Sequence, residues 1–345
     1  MTSDTDQTRT PRVDRPGRRY RPGSLEILGA VLLAAILLRG PLDRAAAQLL
    51  PSGWTTIFVA ICVQATPFLV LGVVVSGAIA AYVPASFFTK VMPRSPALAV
   101  PMAGVCGAAL PGCECGSVPI AGRLIDRGVR PSAALAFLLS APAINPIVLV
   151  ATAVAFPTEP RMVWARLVAG LVTSVLVGWI WERIGRPEWM KPRLRHGNDP
   201  AADDGHTESK AAVFLTTMRG DFTQAAGFLV IGAAAAATLQ TVVPREFMTH
   251  VGSSVVLTVV MMAVLAVVLA LCSESDAFVA AAFSTIPVIG KLVFLTVGPA
   301  VDVKLIAMQS GTFGRRFAVR FAPLTLVTAA LVATGVGLLF WGGWR

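Results

Sequence analysis

Charge is scarce in this sequence. Of 345 residues, 14% are Asp, Glu, Lys or Arg, whereas a soluble chain carries about 25% because its wetted surface has to be covered. Two or three water-facing domains, which the length alone would suit, are therefore excluded. Alternation is missing as well. The apolar residues, 55% of the chain, come in continuous blocks such as 253–271, which holds no charge. That pattern excludes a membrane β-barrel, whose strands alternate between lipid and lumen. No phosphate-cradling P-loop, His-Glu-x-x-His or Gly-x-Ser-x-Gly run occurs, so neither an ATPase nor a hydrolase is expected and the chain reads as no enzyme. The five cysteines (Cys62, Cys106, Cys113, Cys115, Cys272) all fall in apolar segments, which argues against a secreted disulfide framework. No small-residue cleavage site follows the run 25–38, so a cleaved signal is not expected.

The blocks approach the roughly 20 residues that cross a bilayer core as a helix. The expected fold is an all-α polytopic membrane protein with about 8–10 transmembrane segments. Spans are predicted at 25–38, 54–83, 132–156, 162–182, 221–243, 292–310 and 317–341, with Trp54, Trp164, Trp179, Trp181 and Trp341 at block ends as interfacial anchors. Two more stretches, 97–130 and 253–290, are interrupted by polar residues and read as helical hairpins with their tips in the membrane.

The net charge of +10 fits topology better than nucleic acid, since no nucleic-acid reader motif accompanies it. Arg9, Arg12, Arg15, Arg18, Arg19 and Arg21 form a basic tail, and seven more cations lie between Arg183 and Arg219. With the tail inside the cell, 21 of the 29 Lys and Arg fall on the cytoplasmic side. The expected organisation is a cytoplasmic tail (1–24), a first transmembrane repeat (25–182), a basic linker (183–220) and a second repeat (221–345) in the cell (inner) membrane. The loop His196–His206 holds potential ligands without a spacing motif and reads as disordered linker.

Self-similarity at an offset of about 160 residues is the most informative pattern. Gln64–Gly72 aligns with Gln224–Gly232, Val83-Pro84 with Val243-Pro244, and Phe87, Thr89 and Val91 with Phe247, Thr249 and Val251. Cys113 falls opposite Cys272, and Pro142-Ala-Ile-Asn145 opposite Pro299-Ala-Val-Asp302. By span parity the two repeats are inverted, each with its broken hairpin, an arrangement common in secondary transporters.

The tips concentrate the chemistry. One carries Cys113-Glu114-Cys115-Gly-Ser117, the other Cys272-Ser-Glu274-Ser275-Asp276. A carboxylate in a transmembrane segment costs on the order of 2.5–3.5 kcal/mol on insertion scales, so such residues are paired, solvated or used. Thiolates are soft ligands favouring copper(I), zinc and similar centres, and Cys113, Cys115 and Cys272 could share one pocket. Cys62 and Cys106 read as packing residues. Asn145 and Asp302 occupy matching positions, Asn145 as interhelical glue or binding group and Asp302 as binding group or structural partner of Lys304. Glu114, Glu274 and Asp276 could couple proton movement to substrate movement.

Cys113-Glu-Cys-Gly-Ser-Val-Pro119, Arg127-Gly-Val-Arg-Pro131, Ala133–Phe137 through Pro142-Ala-Ile-Asn-Pro146, and Ser273-Glu-Ser-Asp-Ala-Phe278 together resemble the ArsP/YraQ predicted-permease family over residues 54–341. The resemblance implies an inner-membrane permease. Characterised relatives export trivalent organoarsenicals, with cysteines implicated in recognising arsenic, and other relatives look like parts of metal homeostasis. Cys113 and Cys115 match the family's Cys-x-Cys. Glu114 between them suits a cationic or metal-bearing substrate better than a neutral organoarsenical. The function expected is a secondary transporter moving a small thiophilic solute, metal(loid) or organic adduct outward by alternating access. A zinc-type homeostasis permease, a lipid-handling protein and a non-transporting scaffold are the alternatives. The partners expected are the lipid bilayer and that solute, with no nucleic acid and no cofactor.

Overall fold

Prolines and short polar caps, rather than surface charge, set the helix boundaries. The computed structural model describes residues 53–84, 87, 92–93, 95–110, 113–190, 209–242, 255–283 and 285–343, all within one compact unit, Leu49–Arg345. The helices are α1 (Trp54–Tyr82), α2 (Pro96–Gly107), α3 (Glu114–Asp126), α4 (Pro131–Ile144), α5 (Pro146–Ala155), α6 (Arg161–Ile184), α7 (Lys210–Val242), α8 (Val255–Leu269), α9 (Asp276–Ala282), α10 (Val288–Ala300), α11 (Val303–Thr312) and α12 (Arg315–Trp341). No strand occurs among the described residues. Proline opens α2, α4 and α5, where its missing N–H costs no helical bond.

Five runs are long and apolar enough to cross a membrane: α1, the α4–α5 run, α6, α7 and α12. The protein is an all-α, multi-pass membrane protein. The stretches 97–130 and 253–290 are each divided into two short helices, α2 and α3, and α8 and α9, as the interrupting polar residues suggested. The predicted span 25–38, the tail and the loop 196–206 lie outside the described residues.

Four expectations change. The stretches 132–156 and 292–310 are not single helices but break at Asn145 and at Val301-Asp302. Asn145 is extended (φ −68°, ψ 156°); its side chain accepts from Val148 N at 3.0 Å and donates to Ala141 O at 2.9 Å, serving both helix ends at once. Asp302 does the first of these, accepting from Leu305 N at 2.6 Å. The helix expected from 221 starts at Lys210 instead. Its charged stretch is used, because Asp221 receives Ser76 Oγ at 2.6 Å and pairs with Arg123 at 3.0 Å. Trp181 is not an interfacial anchor; it is buried with its ring edge-on to Trp189, Phe317 and Phe321. Cys106 is exposed and Cys62 half-buried, so neither fills a core.

The halves follow one plan. Helix lengths run 29, 12, 13, 14, 10 and 24 residues in α1–α6 and 33, 15, 7, 13, 10 and 27 in α7–α12. The buried stripe of α1 (Ala65, Leu69, Gly72, Val73, Ser76, Gly77) recurs on α7 at Ala225, Leu229, Gly232, Ala233, Ala236 and Ala237. These small residues let backbones approach closely, as membrane helices require when water no longer drives them together. Counterparts touch as α1–α7, α4–α10 and α6–α12, and the second hairpin arms cross over, with α3 packing on α11 and α9 on α5.

The matched glycines each pack directly against the backbone of a second helix. A Cβ on Gly72 would lie 2.4 Å from Gly116 Cα, and one on Gly232 would lie 2.6 Å from Lys304 Cα. Gly232→Leu is therefore expected to force α7 off α11, with an overpacking cost of about 1–3 kcal/mol or more. Gly227, with nothing within 4 Å of its added Cβ, supplies the control. Melting in detergent should show Gly232→Leu clearly destabilised and Gly227→Leu close to wild type; equal melting would refute this packing.

Candidate functional site

The crossover of hairpin arms onto broken helices brings distant polar residues together. Cys113 is the N-cap residue of α3, with Glu114 and Cys115 in the first turn, and all three are fully buried. Cys272 precedes α9. The ligand atoms of Cys113, Glu114 and Cys272 lie within 4.8 Å of one another. Cys115 lies beside Cys113, within hydrogen-bonding reach of its thiol.

Lys304, buried on α11, reaches into this group. Its Nζ stands 2.6 Å from Glu114 Oε1 and 3.2 Å from Asp302 Oδ2. It also donates to Ala270 O at 2.8 Å and Leu271 O at 3.1 Å. Those carbonyls belong to the end of α8, where Ala270 takes a positive φ of 45°, a conformation sparsely used by residues with a Cβ. Glu114 Oε2 has no hydrogen-bond partner among the described residues. Two carboxylates thus face one ammonium. Beside them, Ile61, Gln64, Ala65, Ala270, Leu271, Cys272 and Lys304 line a cavity of about 30 Å³.

A second pair lies deeper in the other crossover. Arg166, 1% exposed in α6, places Nη2 2.9 Å from Asp276 Oδ2 and donates to Ser273 O at 3.0 Å and Thr152 Oγ1 at 2.9 Å. Both oxygens of Glu274 are buried without a hydrogen-bond partner among the described residues.

Of the residues expected at the site, Cys113, Glu114, Cys115, Cys272 and Asp302 converge. Asp276 pairs with Arg166, Asn145 caps the α4–α5 break, and Ser117 donates within its own helix to Glu114 O at 3.1 Å. Ser275 donates to Cys272 O at 3.0 Å and receives Gln64 Nε2 at 3.4 Å. Arg166 and Thr152 were not foreseen, and Lys304 was foreseen only as a partner for a carboxylate. A lone arginine inside an apolar block was the available signal for Arg166.

The predicted-permease family model ArsP_1 matches residues 52–338. A Bacillus subtilis (strain 168) protein, UPF0718 protein YcgR, is 34% identical over 286 residues, covering 81% of this chain and 94% of its own length. A Streptococcus mutans protein named as a candidate subunit of a two-component membrane permease complex is 31% identical over 293 residues, with 82% and 94% covered. No solved structure matches. With nearly the whole helical unit matched, this chain belongs to the ArsP_1 predicted-permease family.

Proposed function

We propose that this permease is a secondary transporter of a small thiophilic cation, a soft metal(loid) ion or its cationic adduct, held by Cys113, Cys272 and Glu114, with Cys115 at hand. The observation that carries the reading is the approach of those three ligand atoms, contributed by both halves, within 4.8 Å in a buried site. Sulfur with one carboxylate favours soft and borderline cations over Mg²⁺ or Ca²⁺, which take oxygen. The halves are read as inverted repeats, which the matched helix plan and reciprocal crossover support; rocking of one half against the other would then expose the site alternately, as in other transporters of this architecture. Outward transport across the inner membrane, with the N-terminus cytoplasmic, completes the reading. By its likeness to the Streptococcus mutans protein, the chain is a candidate to work with a partner subunit.

The test is flux in vesicles. Wild type and Cys113→Ser/Cys115→Ser are compared for movement of Zn²⁺, Cd²⁺ and a trivalent organoarsenical. The expected outcome is loss of most flux for the soft cations in the variant. Equal flux and equal tolerance in the two would remove the sulfur-ligand reading.

A further inference from the structure

Lys304 is an unusual residue to bury, and the sequence offers an internal comparison for it. In the matched element of the first half, Asn145 and Ile147 stand where the second half has Asp302 and Lys304. Both elements break the helix at the same place and both cap the new start through the side chain, Asn145 onto Val148 N and Asp302 onto Leu305 N. The broken-helix architecture therefore forms without any charge at these two positions. What the second half adds is an ammonium in a cradle of four oxygens, from Glu114, Asp302, Ala270 and Leu271, at distances of 2.6, 3.2, 2.8 and 3.1 Å. The positive φ of Ala270 helps turn two of those carbonyls onto Nζ, and a non-glycine residue in that region stores strain.

The carboxylate that Lys304 grips is the one that stands with Cys113 and Cys272 in the candidate cation site. One oxygen donor cannot serve an ammonium and a metal cation in full at once, since two positive charges on one buried carboxylate repel strongly. From this geometry we infer that Lys304 is a tethered stand-in for the transported cation: it occupies Glu114 when the carrier is empty and yields to the substrate when the carrier is loaded. This rests on the reading of the Cys113–Cys272 site as a cation site and adds what happens when that site is empty. An empty site without Lys304 would carry Glu114 as an isolated buried carboxylate, with no ion-pair partner, through the conformational change, which is strongly unfavourable. The tethered ammonium, shared with Asp302, pairs Glu114 directly at 2.6 Å, so the empty carrier can return with that carboxylate held. The device sets net transport, while exchange of one substrate ion for another does not need it.

Zn²⁺ alone is the probe, with full-length protein purified in detergent and in proteoliposomes. Lys304→Met removes the competitor. Asp302→Asn/Lys304→Met also keeps the local charge sum and the helix cap, since asparagine caps the equivalent break at position 145. Both variants should bind Zn²⁺ about ten-fold or more tightly, because a site blocked most of the time has its apparent affinity reduced by the unblocked fraction. Both should keep Zn²⁺–Zn²⁺ exchange while losing most net flux. Folded variants that bind Zn²⁺ no better than wild type, or lose exchange and net flux alike, would make Lys304 a structural pair and overturn the inference. So would failure of both variants to fold. Zn²⁺ binding that disappears in Cys113→Ser/Cys272→Ser upholds the cation site whatever Lys304 does. Indifference of wild type and both Lys304 variants to Zn²⁺ would sink the site itself and this inference with it.

Discussion

Arg166→Leu should be the most damaging single substitution in the helical unit. The guanidinium is 1% exposed and bonds Asp276, Ser273 O and Thr152 across three helices and a hairpin tip. Removing it leaves the Asp276 carboxylate and two acceptors in an apolar interior, and breaking a buried pair costs about 3–5 kcal/mol. With the exposed Cys106 and half-buried Cys62 replaced by serine, a thiol-reactive dye reports unfolding, because Cys113, Cys115 and Cys272 are buried. The melting midpoint should fall by on the order of 10 °C. Arg166→Leu/Asp276→Leu should recover most of that loss, since a well-packed apolar pair often replaces a buried ion pair at little cost. Arg130→Ala gives the contrast. Its pair with Glu182 is 3.0 Å long but has side chains 47% and 28% exposed, so its loss should cost under about 1 kcal/mol. An Arg166→Leu protein melting like wild type would contradict the pairing.

Much of this arrangement is visible in the sequence, and the boundary has physical causes. The hairpins at 97–130 and 253–290 are legible because polar residues inside apolar blocks are expensive. The likeness of α1 and α7 is legible because both helices bury the same stripe, with Ala65, Leu69 and Gly72 buried as Ala225, Leu229 and Gly232 are. The meeting of Cys113 with Cys272 could be anticipated from the same self-similarity. The break at Asp302 could not be placed so readily, since no proline follows it as Pro146 follows Asn145; the capping bond to Leu305 N ends the helix instead. Arg166 announces itself as an isolated charge, but its partner is 110 residues away and is chosen by the packing of α9 against α5. Trp181 misleads for a similar reason. Its place at a block end suggests the interface, yet that side of α6 faces Phe317 and Phe321 on α12.

The second large effect concerns the sulfurs. Cys113 and Cys272 come from different halves, so a cation held by both depends on their closure over it. Serine keeps the size and removes the soft donor, leaving Glu114 and Cys115 as ligands. Cys113→Ser/Cys272→Ser should therefore weaken Zn²⁺ binding by about 100-fold or more, beyond the 10–100-fold typical of losing even an outer partner. Its folding should survive, because serine is close to cysteine in size and its hydroxyl can both donate and accept a hydrogen bond.

The most direct measurement is zinc X-ray absorption on the purified, Zn²⁺-loaded full-length protein and on Cys113→Ser/Cys272→Ser. Wild type should show a sulfur shell at about 2.3 Å, and the variant should keep at most the single sulfur of Cys115 in it. A spectrum of oxygen and nitrogen alone in wild type, or an unchanged sulfur shell in the variant, would contradict a thiol-lined cation site at the junction of the two halves.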